Sequence, residues 1–496
     1  MNGGVPLVKI LRYITLFFSI VIFIIGMIFS ELNIILTAIC GMFIHNILYS
    51  SERLSERIVF FAFNGTFFTF LVARLVVKPL TGYYDKYNDS YYGLDFNNEQ
   101  IIWSIFVTLF LGLLFLFLGY CFVKGDKQIK NEESKKRGTK NIKNIAFISK
   151  MLFYFTYIFN FLVLWDKAKF TNDVGYMELY SSYASSFPSW VIKLAEMCPT
   201  ALFVYLGTMP TKKKTLFPLF LYLVLGIFSL AVGQRNNFVL NVLMIVVYLC
   251  FRNVTDKDQR WFGKKEIMLC LGAFPVMLVL LNTVSYLRMD STVQHSFLDG
   301  ISEFFYAQGV SANLIGYAQT LATQLPEGKL YTIGRLTDFI NNNSITQVLF
   351  DVPRYTAQSI ESALYGHSFA DSVSYILSPT RYITGWGYGS SYIAELFKDF
   401  SYFGVIIGNF IMGMILALMP KLFKKGILGA WMCLSMTRLL LYAPRDTFTS
   451  FIVSTFSLIN LLTICIIFLG AMIMPESKRG KHYEGNLLIK SNVKTG

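Results

Sequence analysis

Apolar runs of about 20 residues, each long enough to cross a bilayer as a helix, recur along this chain from residue 11 to residue 472. Backbone in hydrocarbon must satisfy its own hydrogen bonds, so such runs become helices. They place membrane helices at residues 11–30, 33–50, 58–77, 101–123, 146–165, 188–208, 216–232, 237–251, 266–286, 400–420, 427–442 and 450–472. The expected fold is all-α and polytopic, with about 12 transmembrane helices and one long helical outer loop. Composition agrees, at 54% hydrophobic, 17% aromatic and 15% charged residues. The first run follows Lys9 and Arg12 but is too long for the apolar part of a signal peptide, and no small-residue cleavage site ends it. It reads as a retained helix.

The formal charge of +14 is mostly a topology signal. Short cytoplasmic loops accumulate Lys and Arg, and here residues 124–143 hold eight, 212–214 three, 252–265 five and 421–425 three. An even number of crossings then puts both termini in the cytoplasm. The chain divides into nine helices (1–286), a long extracytoplasmic segment (287–399), three more helices (400–472) and a cytoplasmic tail (473–496). Basic residues scattered over short turns make no continuous face for nucleic acid, and none is expected as a partner. Membrane lipids are, and residues 124–143 either stay solvated or touch anionic head groups. All seven cysteines (Cys40, Cys121, Cys198, Cys250, Cys270, Cys433, Cys465) fall in apolar runs, away from loops where a disulfide framework or zinc site would form.

The unusual residues lie on the outer side. Residues 81–100 combine Tyr83, Tyr84, Tyr87, Tyr91 and Tyr92 with Asp85, Asp89 and Asp95, and residues 166–188 add Tyr176, Tyr180 and Tyr183. Aromatic faces with hydrogen-bonding neighbours suit sugar rings, although an interfacial tyrosine belt also accounts for any one of them. The segment 287–399 is too long to be structureless. Phe297, Ile301, Phe304 and Phe305 followed by QGVSANLIGYAQT predict one or two helices along the membrane surface.

Arg288, Arg335, Arg354 and Arg381 also lie in that segment, with His367 and Asp371. Arginine offers a planar fork matched to phosphate oxygens where lysine offers a point charge. Arg235 occupies a short outer turn, GQRNN, whose geometry needs no arginine. Arg74 and Arg438, near the outer ends of the third and eleventh helices, can reach the interface or turn toward a bound anion, and Arg445 lies in the outer loop beyond.

Residues 385–400, GWGYGSSYIAELFKDF, close the segment. Gly385, Gly387 and Gly389 allow close backbone approach, and Ser390 or Ser391 can cap the helix carrying Tyr392, Glu395 and Asp399. A helix N-terminus behind a glycine turn suits an anion, and carboxylates four apart share a helix face. The plain alternative is a flexible turn before a membrane helix.

The GQRNN turn, the QGVSANLIGYAQ stretch and GWGYGSSYIAELFKDFSYFGVIIGNFIMGMI resemble the Wzy-type O-antigen and capsular polysaccharide polymerases, the bacterial oligosaccharide repeat unit polymerases. That family tends to a DFG-like run after the outer acidic helix, whereas here Asp399 and Phe400 are followed by Ser401, with glycine only at Gly404. The resemblance implies a GT-C-like membrane glycosyltransferase of the bacterial plasma (inner) membrane that uses no cofactor. Its substrates would be two polyprenyl (undecaprenyl) diphosphate-linked oligosaccharides. The growing glycan would pass en bloc to the nonreducing end of a newly flipped repeat unit, with a flippase and a chain-length regulator as partners. Charge developing on the leaving diphosphate would fall to Arg235, with Arg288, Arg354, Arg381, Arg74 and Arg445, backed by the turn at Gly387, Gly389 and Ser390. Glu395, Asp399, Asp371 and His367 are the candidate general bases. The lone Asp-x-Asp, at 256–258, falls on the cytoplasmic side, so no metal is expected. Two alternatives remain: an O-antigen ligase-type glycan transferase, and a polysaccharide flippase or transporter, which would be expected to show related halves and midplane polar residues.

Overall fold

The computed structural model describes residues 5–81, 98–123, 139–176, 178–289, 297–341, 344–351, 353, 355–356 and 358–474. The tyrosine-rich loop at 82–97, most of the lysine-rich loop (124–138), Arg354 and the tail from residue 475 lie outside them. Among the described residues every regular element is helical. Within the described residues ten helices are long and apolar enough to cross a membrane, from Val8–Phe29 to Ser450–Ile473. The shorter apolar helix Ile427–Leu440 and the 26-residue helix Lys264–Met289 run along the two remaining expected spans.

Helix Tyr392–Lys424 packs lengthwise on helix Glu99–Phe122. Apolar side chains gain little from leaving lipid for protein, so such a contact depends on close backbone approach. Gly119 and Gly413 supply it: a Cβ at Gly119 would run into the Phe410 carbonyl oxygen, and one at Gly413 into that of Leu116. Buried hydrogen bonds add specificity, with Tyr392 Oη donating to Asn409 Oδ1 (2.6 Å) and Asn46 Nδ2 to Asn64 Oδ1 (2.9 Å).

Three interruptions in the spans position polar groups. Helix Leu54–Phe67 continues into a π-helical turn, Phe68–Val72, just before Arg74. Such turns insert a residue and re-aim the side chains beyond them. The last span breaks between Ser450–Thr455 and Leu458–Ile473. Asn460 Nδ2 donates to the carbonyls of Ser454 (2.8 Å) and Thr455 (3.2 Å), and Asn460 Oδ1 accepts from Thr200 (2.7 Å), so the break leaves these groups satisfied.

The third interruption is in Tyr392–Lys424, which starts eight residues before the apolar run does and kinks at Phe400 and Ser401. Ser401 has φ 53° and ψ −148°, a backbone conformation natural to glycine. Such a residue stores on the order of 1–3 kcal/mol of strain. Ser401→Gly is therefore expected to stabilise the protein by about 1 kcal/mol, read as a rise in the melting temperature in detergent. A lower melting temperature would refute this.

One expectation needs correcting. The QGVSANLIGYAQT stretch does not lie on the membrane surface: all ten residues from Gly309 to Ala318 are buried, in the 3₁₀ turn Gly309–Ala312 and the helix Asn313–Thr320. That helix packs against Tyr392–Lys424 and Glu99–Phe122. Its small and apolar residues fill a gap between spans, which helical spacing alone cannot distinguish from a surface helix.

Candidate active site

Glu395, in the first turn of Tyr392–Lys424, is fully buried. Its carboxylate accepts from Ser390 Oγ (2.6 Å) and from the backbone N–H of Phe448 (2.9 Å). Ser390 thus serves Glu395 and not the helix end. Ser391 stands at the cap position but makes no capping bond. Gly385 (φ 99°) and Gly389 (φ 77°) take left-handed backbone in the turn before it. Between them the Tyr388 N–H, beside Gly387, donates to Ser374 Oγ (3.0 Å).

Asp399, one turn further on, has other partners. It accepts from the backbone N–H and the hydroxyl of Thr332, both at 2.7 Å, and so anchors the 3₁₀ turn Tyr331–Ile333. The two carboxylates share a helix but bind different parts of the chain.

The loop that reaches Glu395 through Phe448 also carries Arg445, whose Nη1 donates to the Gln308 carbonyl (3.2 Å). Arg74, 1% exposed, donates to the Tyr306 carbonyl (3.3 Å) and hydroxyl (3.0 Å), with its guanidinium 3.9 Å from the Tyr306 ring centre. Gly309 lies directly on the Arg74 backbone, where a side chain would collide. Arg74 and Arg445 therefore hold the same short stretch, 306–308, beside the loop that binds Glu395.

Asp446 shares this neighbourhood. Desolvation pushes its carboxyl above the usual range, against the Ser450 hydroxyl, the Thr447 N–H (2.8 Å) and the Arg335 charge, and it lies within electrostatic reach of Glu395. Segments carrying these groups also bring in Ser311 Oγ, both amide atoms of Asn313, Ser391 Oγ, Thr447 Oγ1 and Thr449 Oγ1, which are buried with no hydrogen-bond partner among the described residues. Buried polar atoms are normally paired, so these are donors and acceptors suited to water or to a hydroxylated ligand.

The GQRNN turn meets the other side of this loop. Arg235 opens helix Arg235–Thr255, and its Nη1 donates to the Leu281 carbonyl (3.1 Å). Asn237 accepts from Arg438 Nη2 (2.9 Å), and Asn236 is within hydrogen-bonding reach of the Tyr442 hydroxyl, three residues before Arg445.

His367 and Asp371 belong to a second cluster. Asp338 accepts from the His367 backbone N–H (3.1 and 3.2 Å) and lies 3.0 Å from its ring Nδ1. Asp371 accepts from Ser362 Oγ (3.0 Å) while its N–H donates to Ser368 Oγ (3.3 Å). Burial raises the Asp371 pKa; the Ser362 and Ser368 hydroxyls oppose that rise, and the Asp338 charge adds to it. Arg381 is exposed, 5.9 Å from the Trp386 ring centre, and Arg288 lies on the last turn of Lys264–Met289. Of the interfacial tyrosines, Tyr183 donates to Asp166 (2.6 Å) and the Tyr176 and Tyr180 hydroxyls meet at 2.8 Å.

Sequence reasoning missed Asp446, Asp338, Tyr306 and Asn313 as site groups. Asp446 carried a signal, an acid next to Arg445 in a short turn between apolar runs. Asn313 carried none, because its burial depends on tertiary packing.

The fold and site define a multi-pass, all-helical membrane protein whose buried carboxylate, arginines and unpaired hydroxyls gather at the helix ends of the bundle. The family model described as O-antigen polysaccharide polymerase Wzy matches residues 11–478, nearly the whole chain, and the chain belongs to that family. No curated protein and no solved structure gives a match. Membership assigns an O-antigen polysaccharide polymerase role in general terms and agrees with lipid-linked oligosaccharide repeat units as substrates.

Proposed function

We propose that the chain extends a glycan at the outer face of the bacterial plasma membrane, moving the growing chain from its polyprenyl diphosphate to a lipid-linked repeat unit. The observation that carries this reading is Glu395: a fully buried carboxylate with one hydroxyl and one amide partner, next to the loop bearing Arg445 and Asp446. An acceptor hydroxyl would give its proton to Glu395 as its oxygen bonds to the anomeric carbon. The bond from that carbon to the diphosphate breaks, and the electron pair leaves with the lipid diphosphate. Guanidinium groups and backbone N–H groups offset the charge that develops there, and Arg235, at a helix N-terminus, suits that work.

Asp399 and Asp371 fit anchoring roles better, since Asp399 holds the Thr332 turn with two bonds and Asp371 lies in the separate cluster around Ser362 and His367. Arg74 and Arg445 are proposed to shape the site through residues 306–308 and to add positive potential. Replacing Arg235 by Lys keeps the charge but loses the fork, and is expected to slow polymerisation about 10- to 100-fold at normal membrane abundance. Undiminished activity in Arg235→Ala would show that the turn is only a connector.

The outer placement is tested by cysteine labelling after the four cysteines that are not buried (Cys40, Cys121, Cys270, Cys465) are replaced by Ala. Cysteines introduced at the exposed positions Glu361 and Lys213 are expected to label from outside, and only after permeabilisation, respectively. The opposite pattern would overturn the topology and the outer-face reaction together.

A further inference from the structure

The helices Gly334–Asn341 and Ser344–Phe350 present a surface that the polymerase chemistry does not use. In the first, Arg335 and Asp338 lie three apart, and Leu336, Phe339 and Ile340 take the i, i+3, i+4 spacing of an apolar stripe. Asp338 faces the protein, where it holds His367, while Arg335 is exposed but within electrostatic range of Asp446. Gly334 abuts the His367 carbonyl, and Thr332, just before it, is held by Asp399. Phe339 and Ile340 are 42% and 54% exposed.

The second helix is more extreme. Val348, Leu349 and Phe350 are 83%, 67% and 72% exposed, a run of three large apolar residues on one short helix. In water such a patch would be a liability for a folded protein.

The position of the pair bears on what could cover it. Helix Gly334–Asn341 packs on Ser450–Thr455, the first part of a membrane span, and that span continues into Leu458, 60% exposed. On the other side Asp399 stands at the kink of another span, followed by the exposed Phe400 and Phe403. Helix Gly334–Asn341 thus stands at the ends of two spans that carry exposed apolar residues, and Ser344–Phe350 packs on that helix.

We propose that this helix pair is embedded in the membrane leaflet beside the Glu395 site, with Val348, Leu349 and Phe350 among the acyl chains of the bilayer. Asp338 then ties the pair to the His367 cluster, and the Arg335 charge reaches Asp446 beside the Glu395 site. The proposal rests on the chain being a membrane protein and not on the glycan reaction, so either can fail alone.

The test is spin-label accessibility in vesicles of phosphatidylethanolamine and phosphatidylglycerol, using protein whose four unburied cysteines are replaced by Ala. A label on Leu349→Cys is expected to collide with oxygen, which partitions into lipid, more than with a water-soluble nickel chelate, as does one on the lipid-facing control Leu469→Cys (58% exposed). A label on Glu361→Cys should show the reverse. Val348→Cys repeats the measurement at a position so exposed that the change removes little packing. Chelate collisions equal to or above those with oxygen at Leu349 and Val348 would place the pair in water and overturn the proposal. So would a label immobilised and shielded from both reagents, which would mean that protein covers the surface.

Discussion

Glu395→Gln is expected to stop chain extension while leaving the protein folded, inserted and abundant. The side chain is fully buried, so the substitution must satisfy the same two partners. It can: the Gln carbonyl oxygen accepts from the Phe448 N–H, and its amide donates to Ser390, whose hydroxyl can turn to accept. What is lost is the negative charge and the capacity to take a proton. A general base is worth about 100- to 10,000-fold in rate, so glycans should stay at one repeat unit in cells carrying the variant. Asp399→Asn is the companion, because it removes charge from a carboxylate engaged with Thr332 on the same helix. It is expected to be milder and to show mainly as lower stability. Full-length glycan from Glu395→Gln would end the catalytic assignment.

The second large effect concerns Arg74. Its guanidinium spans the Tyr306 carbonyl, hydroxyl and ring, and hydrogen bonds to a charged group contribute about 1.5–3 kcal/mol each. Arg74→Met keeps most of the volume but releases residues 306–308, which Arg445 also grips. A loss of about 3 kcal/mol is expected, seen as a melting temperature lower by several degrees and as new protease cleavage near residues 306–320. Polymerisation should fall with it. Arg74→Lys separates the causes: charge alone would restore activity, whereas clamping needs the fork. Unchanged melting and cleavage in Arg74→Met would show that the clamp does not hold the segment.

The membrane spans were legible because hydrocarbon length and backbone hydrogen bonding leave an apolar run of about 20 residues few options. Glu395, Arg235 and the glycine turn drew attention in the sequence because each is costly or unnecessary as plain structure, and the structure adds their surroundings: Glu395 fully buried, Arg235 at the start of a helix. What could not be read was partnership. Nothing in GSSYIAELFKDF says that Ser390 bonds Glu395 and not the helix end, or that Asp399 reaches Thr332. The stretch 309–318 read as a surface helix because small residues at helical spacing suit either a membrane surface or a tight gap between spans, and only the tertiary packing decides which. The kink at Ser401 was not read from the sequence, because a positive φ at a serine is fixed by the surrounding packing and not by local composition.

The most direct test of the central claim uses the purified protein alone in bilayer discs, supplied with lipid diphosphate-linked repeat units and read by gel for glycan length. The account predicts a ladder of lengths with release of free lipid diphosphate, and no ladder from Glu395→Gln under conditions where it still binds the substrate. Repeat units left at single length by the wild-type protein, or glycan delivered only to a different acceptor, would contradict it.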